Sequence, residues 1–219
     1  MTQLLRKLLF VGATVALISA LIVVGWFANY TSGTPDLAPL ADFTPNSSTQ
    51  IQPETSGVCL SSPVIAIPYS QIPLSLRQAV SSTEDASTSF SLQIARGLFC
   101  KSHDKILQRE MKETRVTIEL NLRFSREQLF TIYMNRMYFG ESIVGVQNAA
   151  QHFFGENATV LTLPQAALLA GMIRNPRLYS PDAHPDRALQ RRNAILDAML
   201  QRGSINAAVA ERAKAEPLR

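Results

Sequence analysis

A chain of 219 residues is long enough for one substantial domain, and 46% hydrophobic against 17% charged is more apolar than an ordinary soluble domain. The net charge of +4 falls to +2 once Arg6 and Lys7, which precede a long apolar run, are set aside. That balance is too mild to argue for nucleic acid, and no internal repeat, Gly-rich phosphate loop or cysteine pair at metal-ligand spacing is present.

From Leu8 to Phe27 the chain reads LLFVGATVALISALIVVGWF without a charge, which as a helix at ~1.5 Å per residue spans a ~30 Å hydrocarbon layer. The run outlasts a signal-peptide core and continues to Trp26 and Tyr30, so it reads as an uncleaved anchor over 8–29. Arg6 and Lys7 hold the tail 1–7 in the cytoplasm by the positive-inside bias, placing the remainder outside the inner membrane, in the periplasm. Residues 30–57, rich in Pro, Ser and Thr, read as a flexible linker. Cys59 and Cys100 would lie in the exported part, where an even count permits one disulfide; sequence gives no separation to decide it.

In the domain read over 58–219 the periodicity is helical from Pro73 onward, and short strand or irregular pieces are expected chiefly in PVIAIPY at 63–69. A helix entered at Pro73 carries Leu76, Ala79, Val80 and Thr83 on one face and runs to Glu84. Phe90, Ile94 and Leu98 mark a second helix; Leu107, Met111, Thr114, Ile118 and Leu122 mark a long third one, predicted to face the core with that stripe. Arg109 and Glu113 share a different face, one turn apart. SREQLFTIYMNRM opens on Ser125 as an N-cap, TLPQAALLAGMI is a short apolar helix, and a last one starts at Pro185 and stops at Gly203.

Two patterns carry chemistry. Between Arg96 and Arg126 eight Lys or Arg face four Asp or Glu, a local excess that suits an anionic group such as pyrophosphate. Glu84 and Glu113 are a candidate carboxylate pair, the equipment of glycosyl chemistry. Ser102-His103-Asp104-Lys105 formally fits Ser-x-x-Lys, but the partner motifs of that nucleophile do not follow.

The run YMNRMYFG at 133–140, a second Phe-Gly at 154–155, the apolar helix and the Asn-Pro and Tyr-Ser-Pro turn closely resemble the peptidoglycan glycosyltransferase domain, glycosyltransferase family 51, of monofunctional transglycosylases and class A penicillin-binding proteins. REMKE at 109–113 is similar to the family's Arg-Lys-x-x-Glu, with Glu110 in place of Lys, and QIARGLF at 93–99 to its Gln-Leu-x-Lys-Asn-Leu-Phe. IPLSLRQAVSSTED resembles the helix leading into the first motif, which puts Glu84 on the family's catalytic glutamate. The resemblance departs at 85–87: the family's Phe-x-x-His-x-Gly and the segment before its Gly-Gly-Ser-Thr are missing, and Asp85 runs straight into ASTSFSLQ.

The resemblance implies a mainly α, lysozyme-like helical glycosyltransferase domain behind the single transmembrane helix. It implies polymerisation of lipid II into glycan strands, with Glu84 as general base and Glu113 on the pyrophosphate side. Gln93, Arg96, Arg109, Lys112 and Asn135 become substrate-binding residues, and a divalent cation, Mg2+ or Mn2+, joins the pyrophosphate. Implied partners are lipid II, the growing chain, the membrane and other cell-wall synthesis proteins. The alternatives are a degenerate homologue that binds lipid II or cell-wall partners without catalysis and, behind both, a glycan hydrolase.

Overall fold

The computed structural model describes residues 2–46, 49–51, 63–83, 90–99 and 104–218. Glu84, the 85–87 junction, Cys59 and Cys100 lie outside the described residues, and with them the readings made of a base, a deletion and a disulfide.

Helix α1 spans Thr2–Tyr30, and within it Leu9–Tyr30 is long and apolar enough to cross a membrane, with mean hydropathy 2.3 and no part of it buried by the rest of the chain. Its two central hydroxyls are met inside the helix: Thr14 donates to the Val11 carbonyl at 2.8 Å and Ser19 to the Val15 carbonyl at 2.9 Å, so neither needs water. Trp26 and Tyr30 stack at the far end, ring centroids 5.0 Å apart, where amphipathic rings suit a bilayer interface.

The linker expected over 30–57 is folded in part. Leu37, Leu40 and Phe43 are spaced by threes, the period of a 3-10 helix; Ala38–Phe43 forms one, and it buries those three side chains in the core. Strand β1, Thr49–Ile51, then pairs antiparallel with β2, Val64–Ala66, the strand anticipated in PVIAIPY.

The body is helical: α2 Leu74–Ser81, α3 Phe90–Leu98, α4 Ile106–Arg123, α5 Arg126–Arg136, α6 Val146–Phe154, α7 Leu163–Met172, α8 Pro185–Gln201 and α9 Ala207–Ala215. The boundaries follow local chemistry. Ser125 and Gln128 form a reciprocal capping box at the start of α5, and Thr162 and Gln165 form another at α7. Helix α7 is the axis of the fold, buried from Ala166 to Met172 and packed by α2, α6, α8 and α9. Gly171 allows α8 to lie close, since a Cβ there would stand 2.9 Å from Arg191 Cγ.

A second layer packs α3 against α4 and α5. Here one expectation fails. Leu107, Ile118 and Leu122 face outward, Leu122 82% exposed, while Lys112, Glu113, Val116 and Leu120 face inward. Helix α4 carries two stripes; α3 covers the one through Glu113, Val116 and Leu120 and leaves the more apolar one open. The same helix is tied to the end of α1, where Arg115 Nη1 donates to the Thr31 carbonyl and hydroxyl, both at 3.1 Å.

Candidate active site

The described residues nearest Glu84 in sequence, Thr83 and Phe90, belong to packed helices or their ends. Helix α2 ends with Ser82 and Thr83 buried, and Arg202, at the end of α8, donates Nη1 to the Ser81 carbonyl at 2.9 Å. On the far side Phe90 opens α3 and packs its ring on Phe130 at 5.3 Å and Tyr133 at 5.2 Å.

Helices α3 and α4 bring the second glutamate together with its expected partners. Glu113 is 7% exposed, accepts from Arg109 Nε at 2.8 Å and faces Arg96 Nε at 3.6 Å. The i,i+4 spacing on α4 supplies Arg109; Arg96 reaches across from α3, its side chain more than half exposed. Lys112, pointing inward beside Glu113, pairs with Asp104 at 2.9 Å. Two guanidiniums on one recessed carboxylate form a charge cluster with donors to spare, because each planar fork uses only part of its five N–H groups on Glu113. An incoming polyanion can recruit those donors without first creating a charge in the fold.

Gln93, one turn before Arg96 on α3, lines a cleft of about 270 Å3 with Ile94, Gly97, Tyr133, Arg136, Met137 and Tyr138. Arg136 is a cleft residue that sequence reading missed. An arginine at a helix C-terminus is ordinary dipole chemistry, and only its position among apolar neighbours in IYMNRMYF set it apart.

Asn135 is corrected. It is fully buried; its Oδ1 accepts from Ile67 N–H at 3.1 Å and its Nδ2 donates to the Phe43 and Ile67 carbonyls, each at 2.9 Å. The carboxamide ties α5 to the 3-10 turn and to the end of β2, and faces the core instead of a ligand.

The divalent cation implied by the resemblance does not fit the Glu113 cluster as described. A hard cation needs several oxygen ligands, whereas here one carboxylate is matched by two guanidiniums. Among the described residues the group able to hold a metal is Glu141, His152 and Asp182, exposed, with ligand atoms within 4.8 Å of one another, on the 139–143 turn, α6 and the 180–184 turn.

Comparison with known proteins bears on the family and the fold. The transglycosylase family profile matches residues 86–200, a stretch that begins two residues after Glu84 and includes Glu113 and the cleft. The chain is 39% identical over 126 residues to penicillin-binding protein 1A of Aquifex aeolicus, covering 58% of this chain and 17% of that protein. It is 34% identical over 134 residues to penicillin-binding protein 1F of Bacillus subtilis, covering 61% and 19%. A Cupriavidus necator protein provisionally named a transglycosylase is 34% identical over 137 residues, covering 63% of this chain and 58% of the relative. The crystal structure of penicillin-binding protein 1A from Haemophilus influenzae superposes with a TM-score of 0.51 at 23% identity, covering 73% of this chain and 18% of that one, which supports the fold. The chain thus spans under a fifth of the length of the named penicillin-binding proteins. With its profile matched across more than half its length, the chain belongs to the transglycosylase family.

Proposed function

We propose that this protein is a peptidoglycan glycosyltransferase that polymerises lipid II at the outer face of the inner membrane. The observation that carries the reading is the Glu113 cluster: a recessed carboxylate gripped by Arg109 and Arg96 within the matched region. In the proposed reaction Glu84 takes the proton from the acceptor's sugar hydroxyl, whose oxygen attacks the anomeric carbon of the growing chain. The new glycosidic C–O bond forms as the anomeric bond to the lipid pyrophosphate breaks, with inversion. Charge gathering on the departing pyrophosphate meets Arg96 and Arg109, donors already positioned and partly shielded from water. Glu113 keeps both guanidiniums aimed before substrate arrives, and Gln93, one turn before Arg96 on α3, lines the neighbouring cleft.

The anchor and α4 support a substrate that lives in a bilayer. Arg115 tethers α4 to Thr31 at the end of the apolar helix, and the outward Leu107, Ile118 and Leu122 belong to that same tethered helix. The orientation that fits is the one with Arg6 and Lys7 in the cytoplasm.

A second reading, a homologue that binds lipid II without polymerising it, draws on the abrupt Asp85 to Ala86 junction and on the family match starting only at residue 86. Labelled lipid II incubated with the detergent-solubilised chain, with and without Mg2+ or Mn2+, separates the two. Glycan chains support the enzyme; tight lipid II binding with no polymer under any condition supports the binding homologue.

A further inference from the structure

Arg136, the last residue of α5, stands in the cleft with its charge poorly served. Its guanidinium lies over the Phe43 ring, 5.7 Å from the centroid, and its Nη2 is 3.9 Å from where a Cβ on Gly97 would stand. Nε is sealed from solvent and has no hydrogen-bond partner among the described residues. Burial pushes the guanidinium down to about 10, which still leaves it charged at neutral pH. Several other arginines are better met: Arg192 gives its donors to the Lys214, Glu216 and Pro217 carbonyls, Arg109 to Glu113, and Arg202 to Ser81. Arg77 shares an unmet Nε and lies over the Tyr69 ring, 4.6 Å from the centroid, but it does not line this cleft. Arg191 also has an unmet nitrogen, yet its Nε already donates to the Gly171 carbonyl.

An unpaired buried donor on a desolvated cation costs free energy unless a ligand completes it. The glycine at 97 leaves the space beside Arg136 free of side chain, and the cleft adds Gln93 and the aromatic residues Tyr133 and Tyr138. We propose that Arg136 is the anchor of a second anion subsite, selective for a phosphate-type oxyanion and separate from the Arg96–Arg109–Glu113 cluster. The two lie on different sides of α3: Arg96 turns toward Glu113 on α4, while Gln93 and Gly97 turn toward Arg136 on α5. The inference rests on the glycosyltransferase reading for its biological sense. A reaction joining two lipid-linked sugars brings two pyrophosphates to the protein, and one cluster serves only one of them.

The test is calorimetric binding of inorganic pyrophosphate to the full chain in detergent, at fixed ionic strength, beside Arg136→Met and Arg109→Met. Two binding events are expected in the unaltered chain, with Arg136→Met removing one and Arg109→Met weakening the other. Unchanged stoichiometry and affinity in Arg136→Met overturn the proposal. So does a lower melting temperature with unchanged binding, because the side chain would then serve only to pack on Phe43. Should Arg136→Met fail to fold, Arg136→Lys decides: loss of the planar fork is expected to weaken that event about tenfold, and wild-type affinity refutes it. Acetate competing as well as pyrophosphate refutes the phosphate assignment. No step requires turnover, so a catalytically silent chain still tests the subsite; polymer formation indifferent to Arg136→Met would sink the subsite and leave the enzyme standing.

Discussion

Replacing Asn135 with Leu separates a structural pin from a ligand contact. The substitution keeps the side-chain volume and deletes three hydrogen bonds, leaving the Ile67 N–H and the Phe43 and Ile67 carbonyls unmet in a site with no exposure. At about 1–2 kcal/mol for each of the three buried groups left unsatisfied, the loss is about 3–6 kcal/mol, a large part of a domain stability of about 5–15 kcal/mol. With about 2–4 °C of melting temperature per kcal/mol in a domain of this size, the transition is expected to fall by roughly 10 °C. The assay is thermal unfolding of the full chain in detergent by circular dichroism, paired with lipid II affinity measured well below the transition. A variant that melts like the original but no longer binds lipid II would refute the reasoning and return Asn135 to the substrate groove.

Gly145→Ala is expected to cost about 2–4 kcal/mol, because φ is +87° and the added Cβ would lie 2.9 Å from both the Asn135 carbonyl oxygen and Val64 Cγ1; a melt within 2 °C of the original contradicts this. Arg192→Ala removes the donor to three carbonyls at the end of α9 from a fully buried position, where burial pulls the guanidinium's pKa down and Glu216 opposes it. It should destabilise by about 3 kcal/mol and open the 207–218 segment first in hydrogen exchange. Arg109→Met should lower polymerisation about 100-fold while shifting the melting temperature by only a few degrees, since the lost donor acts on developing charge; equal loss of fold and rate would make it a structural residue.

Much of the architecture was legible because local chemistry and tertiary packing agree. Ser125 announced α5 through its capping box, Pro185 and Gly203 bracketed α8, and PVIAIPY yielded the strand at Val64–Ala66. The 3-10 turn at Ala38–Phe43 was hidden by its Pro-rich surroundings: its three apolar residues have a period of three, which neither helix nor strand templates detect. The outward stripe of α4 was misread because both faces of that helix are partly apolar, and which one is covered depends on where α3 lands.

The site divides the same way. Arg109 and Glu113 were readable as an i,i+4 pair, whereas Arg96 reaches Glu113 from another helix, a contact no spacing rule contains. Asn135 sits in the motif that carries the resemblance, yet its partners lie 68 and 92 residues away, so its structural duty emerges only from the fold. Arg136 needed knowledge of what it lacks, an acceptor for Nε, which sequence does not record.

The most direct measurement of the central claim is polymerisation of labelled lipid II by the solubilised chain beside Glu84→Gln, with circular dichroism establishing that both are folded. The account predicts glycan strands from the original chain and a loss of at least about 100-fold in the variant, the amide being unable to accept the acceptor's proton. Polymer formed equally by both would contradict the assignment of Glu84 as the base, and none from either would leave a protein that binds lipid-linked sugar without joining it.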